Sequence, residues 1–569
     1  MMQNKILKSF LVLTIPEAIL TLAYLLLIPI DPNRGQLINY QVVGIMLGIL
    51  LIAFILTLIW LSFQVLRKPE WSQLFYDFLE KKILKDERLI FKSRFALILS
   101  LICLLEGFLL TFFFFPVPFR PLFVLAFLIC LQIWLGLHLV FSKKFQKRSS
   151  IFLKIKSVWL NWDKTQRRVF ITLSILSLIY FCIFIPINAS GRMHADEVVV
   201  LPDVINMFIP GETFTETMSD IFIQDNWWYG YPYFPISALA ILPSRLIFGN
   251  QFVEQTQLNL LLLRQLISVL PMIFSILLLT YLVTRFRNAW LATSMFVVLA
   301  LIPGVVRYNM RFWHPDSIIT LLAILTIFFL QRDRFKFGKN FYLAAFMCGL
   351  MIAIKLWGLY FFLAIGGYLL AGLWRKVFSF WKMIRAGLLF VLVMVSTVII
   401  SSPSVLIPWV SQAGIEEMQE YYPIMREGYD EPDPQGVYRT GLSAWMPFFE
   451  AHYMQEYFFW FSCFALTLGS LIGSQVSLNR FLLSWCLVVG VYLVAFIAVK
   501  SFQYMLPVMV PFYAGAFLLP AISEGAQYPG WLSFLQTPRT KKIIWILMGL
   551  MIFSQFIFNL ILITESPKY

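Results

Sequence analysis

The chain has 569 residues, of which 60% are hydrophobic, 17% aromatic and only 13% charged. Soluble domains carry about 25% charged residues, so the composition excludes a soluble globular protein and predicts an all-α polytopic membrane protein. The net charge of +15 invites a nucleic-acid partner, but its distribution argues against one. Basic clusters (Arg67 to Arg94, Lys143 to Arg168, Arg332 to Lys339, Arg375 to Arg385, Arg539 to Lys542) alternate with acidic loops. Ser190 to Pro235 holds seven carboxylates and one Arg, and Pro403 to Tyr453 holds eight carboxylates and two Arg. This is the positive-inside pattern, which places the basic side in the cytoplasm.

Windows of about 20 apolar residues each span a bilayer, and roughly fifteen are legible. The first four, near 9–30, 41–66, 95–116 and 121–142, form an N-terminal module over residues 1–145. The first reads as a retained membrane helix, because its apolar run is too long for a cleaved signal. Within this module Glu70 to Arg94 alternates apolar and basic residues at helical spacing, as in a helix lying on the cytoplasmic surface. Glu17 and Glu106 sit inside spans, where carboxylates pair or mark a path. A basic cytoplasmic linker follows at 146–168.

The second module, 169–569, has windows near 169–188, 262–284, 289–306, 316–330, 341–354, 357–373, 386–402, 457–474, 481–499, 503–520 and 543–563. Their alternation puts the loop 190–235, the segment Arg307 to Pro315 and the loop 403–455 on the outer side. All six Cys lie in apolar spans without paired spacing, so neither disulfides nor a Cys-ligated metal is expected.

The polar residues of the outer side carry the chemistry. His194-Ala195-Asp196-Glu197 follows an apolar span and precedes the apolar run Val198 to Leu201. Acids held at the interface in this way are expensive unless they face water or a cavity. Arg307, Arg311, His314 and Asp316 share ten residues before the next span. Two Arg and a His there suit an anion, while Asp316 also suits a helix N-terminus. Lys355, inside the apolar Gly349 to Gly358, must snorkel, pair or meet a phosphate. Lys500 and Tyr504 place a cation and a phenol at another outer helix end.

These landmarks, in this order, resemble the GT-C superfamily of membrane glycosyltransferases. The resemblance is to the branch with the protein O-mannosyltransferases and the lipid A aminoarabinose transferase. The Asp196-Glu197 pair follows the module's first span. Trp227 to Pro235 is similar to the family's Pro-Pro-Leu region, and Arg264 opens a span as in its Arg-Leu-Leu-Ser. His314-Pro315-Asp316, the Gly-rich helix ending in Lys355, and Tyr504 to Pro511 complete the series, which covers about residues 160 to 520. Gln503 stands where the late motif carries Arg, with Lys500 as a candidate substitute. The extra N-terminal spans have no counterpart in the family core.

The resemblance implies about 11 core spans preceded by about 4 extra ones, and transfer of a sugar from a polyprenyl-phosphate donor to an acceptor hydroxyl with inversion. It implies Asp196 and Glu197 as the catalytic pair, Asp196 being the base. His194, Arg307, Arg311, His314, Asp316, Lys355, Lys500 and Tyr504 become substrate-binding candidates. The acceptor, whether glycolipid, glycan or protein, stays open. The sequence names no cofactor, and a divalent metal held by carboxylates stays open, since the His are not spaced as a metal site. A bacterial inner membrane is expected, with the site on the periplasmic side. The rival reading is a lipid-linked sugar flippase or transporter using Glu17, Glu106 and Lys355 as its path.

Overall fold

The computed structural model describes residues 162–224, 229–406, 408–428, 438–524, 528 and 530–565. The expected N-terminal four-span module, the surface helix expected in it, Glu17 and Glu106 lie outside these residues. Contacts divide the chain into two units, Met1–Asp163 with Ile241–Thr256, and Lys164–Ala240 with Gln257–Tyr569. In the described part of the first unit, Arg245 Nη1 donates to Asn250 Oδ1 at 2.6 Å, and its guanidinium stands 4.9 Å over the Phe252 ring.

The described part of the second unit is helical, with short 3-10 turns and loops between helices. In chain order the helices are α1 Lys164–Ser190, α2 Ala195–Asn206, α3 Phe214–Phe222, α4 Tyr233–Phe248 (which runs on into the first unit), α5 Thr256–Thr284, α6 Ala289–Ala300, α7 Pro303–Arg311 and α8 Asp316–Asp333. Then come α9 Lys339–Ile354, α10 Phe362–Trp374, α11 Phe380–Ser401, α12 Pro408–Glu427, α13 Leu442–His452, α14 Glu456–Leu471, α15 Val476–Phe496, α16 Phe502–Phe517 and α17 Pro538–Thr564.

Among the described residues seven helices are long and apolar enough to cross a membrane, and α6 with α7, bent by 55°, makes an eighth if counted as one span. The protein is an integral membrane protein, and every apolar window read after residue 168 coincides with a helix. The structure adds a helix that the windows did not include, Tyr233–Val253. Pro235, Pro243, Arg245 and Asn250 break its apolar run in the sequence.

The core is set by α16, which is buried on every face and packs against α8, α14 and α15. A helix apolar all round belongs inside a bundle. Around it, α8 packs on α5 and α9, and α9 on α11. Asp333 fixes the turn between α8 and α9. Its carboxylate accepts from Phe337 N at 2.8 Å, Gly338 N at 3.1 Å and Tyr368 Oη at 2.9 Å.

Candidate active site

Three backbone irregularities build the site. The first is the start of α2. His194 caps it, with Nδ1 accepting from Asp196 N at 3.3 Å, while the Glu197 carboxylate reaches back to His194 N at 2.8 Å. This reciprocal capping satisfies donors that a helix start leaves open. The second lies within α5. Pro271 lacks an N–H and its ring crowds the carbonyl one turn back. Just upstream, Arg264–Val269 opens into π geometry, a local widening often found at functional sites. The third is the end of α9, where Lys355 is extended at φ −167°, ψ 132° before the 3-10 turn Leu356–Phe361.

Gly230 closes on that third break. Its N–H donates to Ile354 O at 2.8 Å, and a Cβ there would stand 1.6 Å from Ala353 O. Gly230→Ala is therefore expected to cost about 1–3 kcal/mol, since backbone must move. An unchanged melting temperature in detergent would contradict this close approach.

Glu197 and Arg264 form the buried hub. The guanidinium grips the carboxylate with two bonds, Nε to Oε1 at 2.8 Å and Nη2 to Oε2 at 2.6 Å, and both side chains are fully buried. Trp313 N adds a third contact to Oε1 at 2.8 Å. Together with His194 N, this makes four donors on one carboxylate. Trp313 is further fixed by Ser237 Oγ at 3.0 Å from its indole N–H and by stacking on Tyr233. Glu197 thus ties the start of α2, the widened turn of α5 and the segment before α8 together.

Asp316, at the first turn of α8, is buried and also engaged. Lys355 Nζ lies 3.2 Å from Oδ1, and His314 Nδ1 meets Oδ2. The other nitrogen of His314, Nε2, is 2.7 Å from Tyr229 Oη. Lys355 also stands 4.8 Å over the Tyr504 ring. Burial first, then the nearby Asp196, Tyr504, Asp316 and Tyr421, push the Tyr229 hydroxyl well above its ordinary tyrosine value. Tyr229 therefore stays protonated where Asp196 and the Asp316–Lys355 cluster meet.

Asp196 differs from both. It is half-buried, and among the described residues the only ion-pair partner of its carboxylate is the His194 ring, 3.6 Å away at Nδ1. The same Nδ1 accepts from Asp196 N. Asp196 is the open carboxylate of the three.

The structure brings His194, Asp196, Glu197, His314, Asp316, Lys355 and Tyr504 into this neighbourhood. It places three other candidates elsewhere. Arg307 Nη1 donates to Ala451 O at 2.9 Å and meets His452 Nδ1 at 2.8 Å, and Nη2 donates to Leu562 O at 3.2 Å. Arg311 is exposed at the end of α7. Lys500 Nζ donates to Arg439 O at 2.9 Å and stands over the Trp445 ring. Gln503 bonds its own cap, Ser501, so the cation at Tyr504 is Lys355 rather than Lys500. Of the aromatic stretch, Trp227 and Trp228 lie outside the described residues, while Tyr229 and Tyr233 are buried. The hub role of Arg264 and the place of Tyr229 were not legible as site features. Among the described residues no group of three His, Cys, Asp or Glu side chains is placed to hold a metal.

His452 gives a pH dependence. Burial and the neighbouring Arg307 push its pKa from 6.5 down to about 4. The folded state resists protonation that the unfolded chain accepts, so stability is expected to fall as pH drops from 6.5 toward 4. His452→Gln should flatten that part of a melting profile, and an identical slope in both proteins would contradict the assignment.

No family model matches the sequence, and no curated protein matches it. Among solved structures the chain is similar to the crystal structure of ArnT from Cupriavidus metallidurans bound to undecaprenyl phosphate, with 13% identity and a TM-score of 0.42. The likeness covers 67% of this chain and 62% of that one, less than two thirds of its length.

Proposed function

We propose that the chain is a GT-C-type membrane glycosyltransferase that moves a sugar from a polyprenyl-phosphate donor to an acceptor hydroxyl, with inversion, on the outer face of the membrane. The observation that carries this reading is the contrast between Asp196 and its neighbours. Glu197 is filled by four donors and Asp316 is paired with Lys355 and His314, whereas the half-buried Asp196 has only the His194 ring as an ion-pair partner among the described residues. The order of the sequence landmarks supports the same reading, and the Lys and Arg clusters between spans support its orientation.

In this mechanism the acceptor oxygen attacks the anomeric carbon while its proton passes to Asp196. The bond from that carbon to the donor phosphate oxygen breaks, and the polyprenyl phosphate departs with the electron pair. A phosphate leaving group needs a cation for its developing charge more than a strong acid. Lys355 supplies it, and Tyr229 and Tyr504 offer hydroxyls beside it. Asp316 and His314 hold Lys355 in place, and Glu197 with Arg264 positions the turn that bears Asp196. With one open carboxylate, direct displacement is favoured, because a retaining route needs a second carboxylate as nucleophile.

Lys355→Met should weaken donor binding at least about tenfold, the loss of one charged hydrogen bond, and Lys355→Arg should restore part of it. Equilibrium binding of a polyprenyl-phosphate sugar checks this, and equal affinity for wild type and Lys355→Met would remove Lys355 from the donor site. The product anomer, read by NMR, should be inverted relative to the donor.

A further inference from the structure

A second pair of cations stands apart from this centre. Between them and Asp196 runs a chain of rings. His194 packs on Phe312, Phe312 meets Phe502 edge-on, and His452 stacks on Phe502. Beyond His452 is Arg307, whose three acceptors are all neutral. Arg311 is close enough to repel it. Among the described residues neither guanidinium has a carboxylate partner. Adjacent arginines at a membrane surface match a phosphate group in charge and geometry.

Beside them, the C-terminal half of α17 and the start of α14 enclose a groove of about 570 Å³. It is lined by Tyr457, Leu550, Phe553, Ser554, Ile557 and Ile561 among others. Its head is at Arg307, because that side chain holds the carbonyl of Leu562, the residue after Ile561. Tyr457 Oη and Ser554 Oγ satisfy each other at 2.5 Å, and apart from Gln455 the rest of the lining is apolar. Leu550, Phe553, Ile557 and Ile561 are exposed on a membrane-crossing helix, so the groove opens sideways into lipid.

We propose that the groove and the Arg307–Arg311 pair bind an anionic phospholipid. Its phosphodiester lies on the two guanidiniums and one acyl chain fills the groove. Charge complementarity selects this occupant, since a zwitterionic lipid brings its own cation to the two arginines. The lipid ties α17 to α7 at the end of the bundle that carries Asp196. The proposal does not rest on the transferase reading.

Native mass spectrometry of the purified full chain, titrated with phosphatidylglycerol, phosphatidylcholine and undecaprenyl phosphate, tests it. Wild type should retain phosphatidylglycerol at about tenfold lower concentration than phosphatidylcholine, the scale of one charged hydrogen bond. Arg311→Glu, which removes the charge, and Ser554→Trp, which fills the groove, should each abolish that preference. Equal retention of the two phospholipids by wild type overturns the proposal. So does loss of the preference in only one variant, or in neither. Displacement of phosphatidylglycerol by undecaprenyl phosphate, blocked by Ser554→Trp, would overturn it too and give the groove to the donor lipid.

Discussion

Glu197→Ala is expected to destabilise the protein by about 3–5 kcal/mol and to abolish transfer, because it leaves the Arg264 guanidinium buried without a counter-charge. The carboxylate accepts from Arg264 twice, from Trp313 N and from His194 N. Its loss strands four donors at once, and those from Arg264 and Trp313 are buried. Glu197→Gln keeps the shape but presents an amide N–H to donors, so it should fall between wild type and Ala. Replacing both partners, Glu197→Met with Arg264→Met, should recover part of the stability without recovering activity, since the charge problem vanishes while the start of α2 stays unanchored. Thermal and denaturant unfolding in a fixed detergent measure the series. A Glu197→Ala protein within about 1 kcal/mol of wild type would place this carboxylate among weakly coupled surface pairs and remove the hub.

Asp196→Asn is expected to lower turnover by about 10²–10⁴-fold, the usual contribution of a positioned general base. It should do so without the stability cost of its neighbour. Among the described residues the only ion-pair partner of the Asp196 carboxylate is the His194 ring, 3.6 Å away, so little structure depends on its charge. Donor affinity should also hold, because the donor's phosphate is assigned to Lys355. Two adjacent acids therefore separate cleanly, one failing by folding and the other by chemistry alone. Equal turnover in wild type and Asp196→Asn would move the base elsewhere, and a large drop in melting temperature would make Asp196 structural.

Much of the architecture was legible because membrane spans announce themselves as apolar windows. The charge alternation also gathered the segments around His194, Arg307 to Asp316 and Tyr504 at one end. The helix Tyr233–Val253 was hidden because Pro and polar residues interrupt its apolar run. The division of labour between Asp196 and Glu197 could not be read from adjacency. It depends on partners 67 and 116 residues away, Arg264 and Trp313, and on a π-helical widening that turns Arg264 inward. Arg307 and Lys500 matched the donor site by charge and side, yet their bonds to backbone carbonyls hold them away from the Asp316–Lys355 cluster, which no spacing rule encodes. Tyr229 looked like one aromatic among many, and only the fold sets its hydroxyl against His314.

The most direct test of the central claim follows release of polyprenyl phosphate from a panel of polyprenyl-phosphate sugars, with an acceptor extract, by the wild-type protein beside Asp196→Asn in nanodiscs. Wild type should release it with one sugar of the panel, and Asp196→Asn should release at least about a hundredfold less while both proteins bind that donor equally. Equal release by the two, or no binding of any donor by wild type, would contradict that claim.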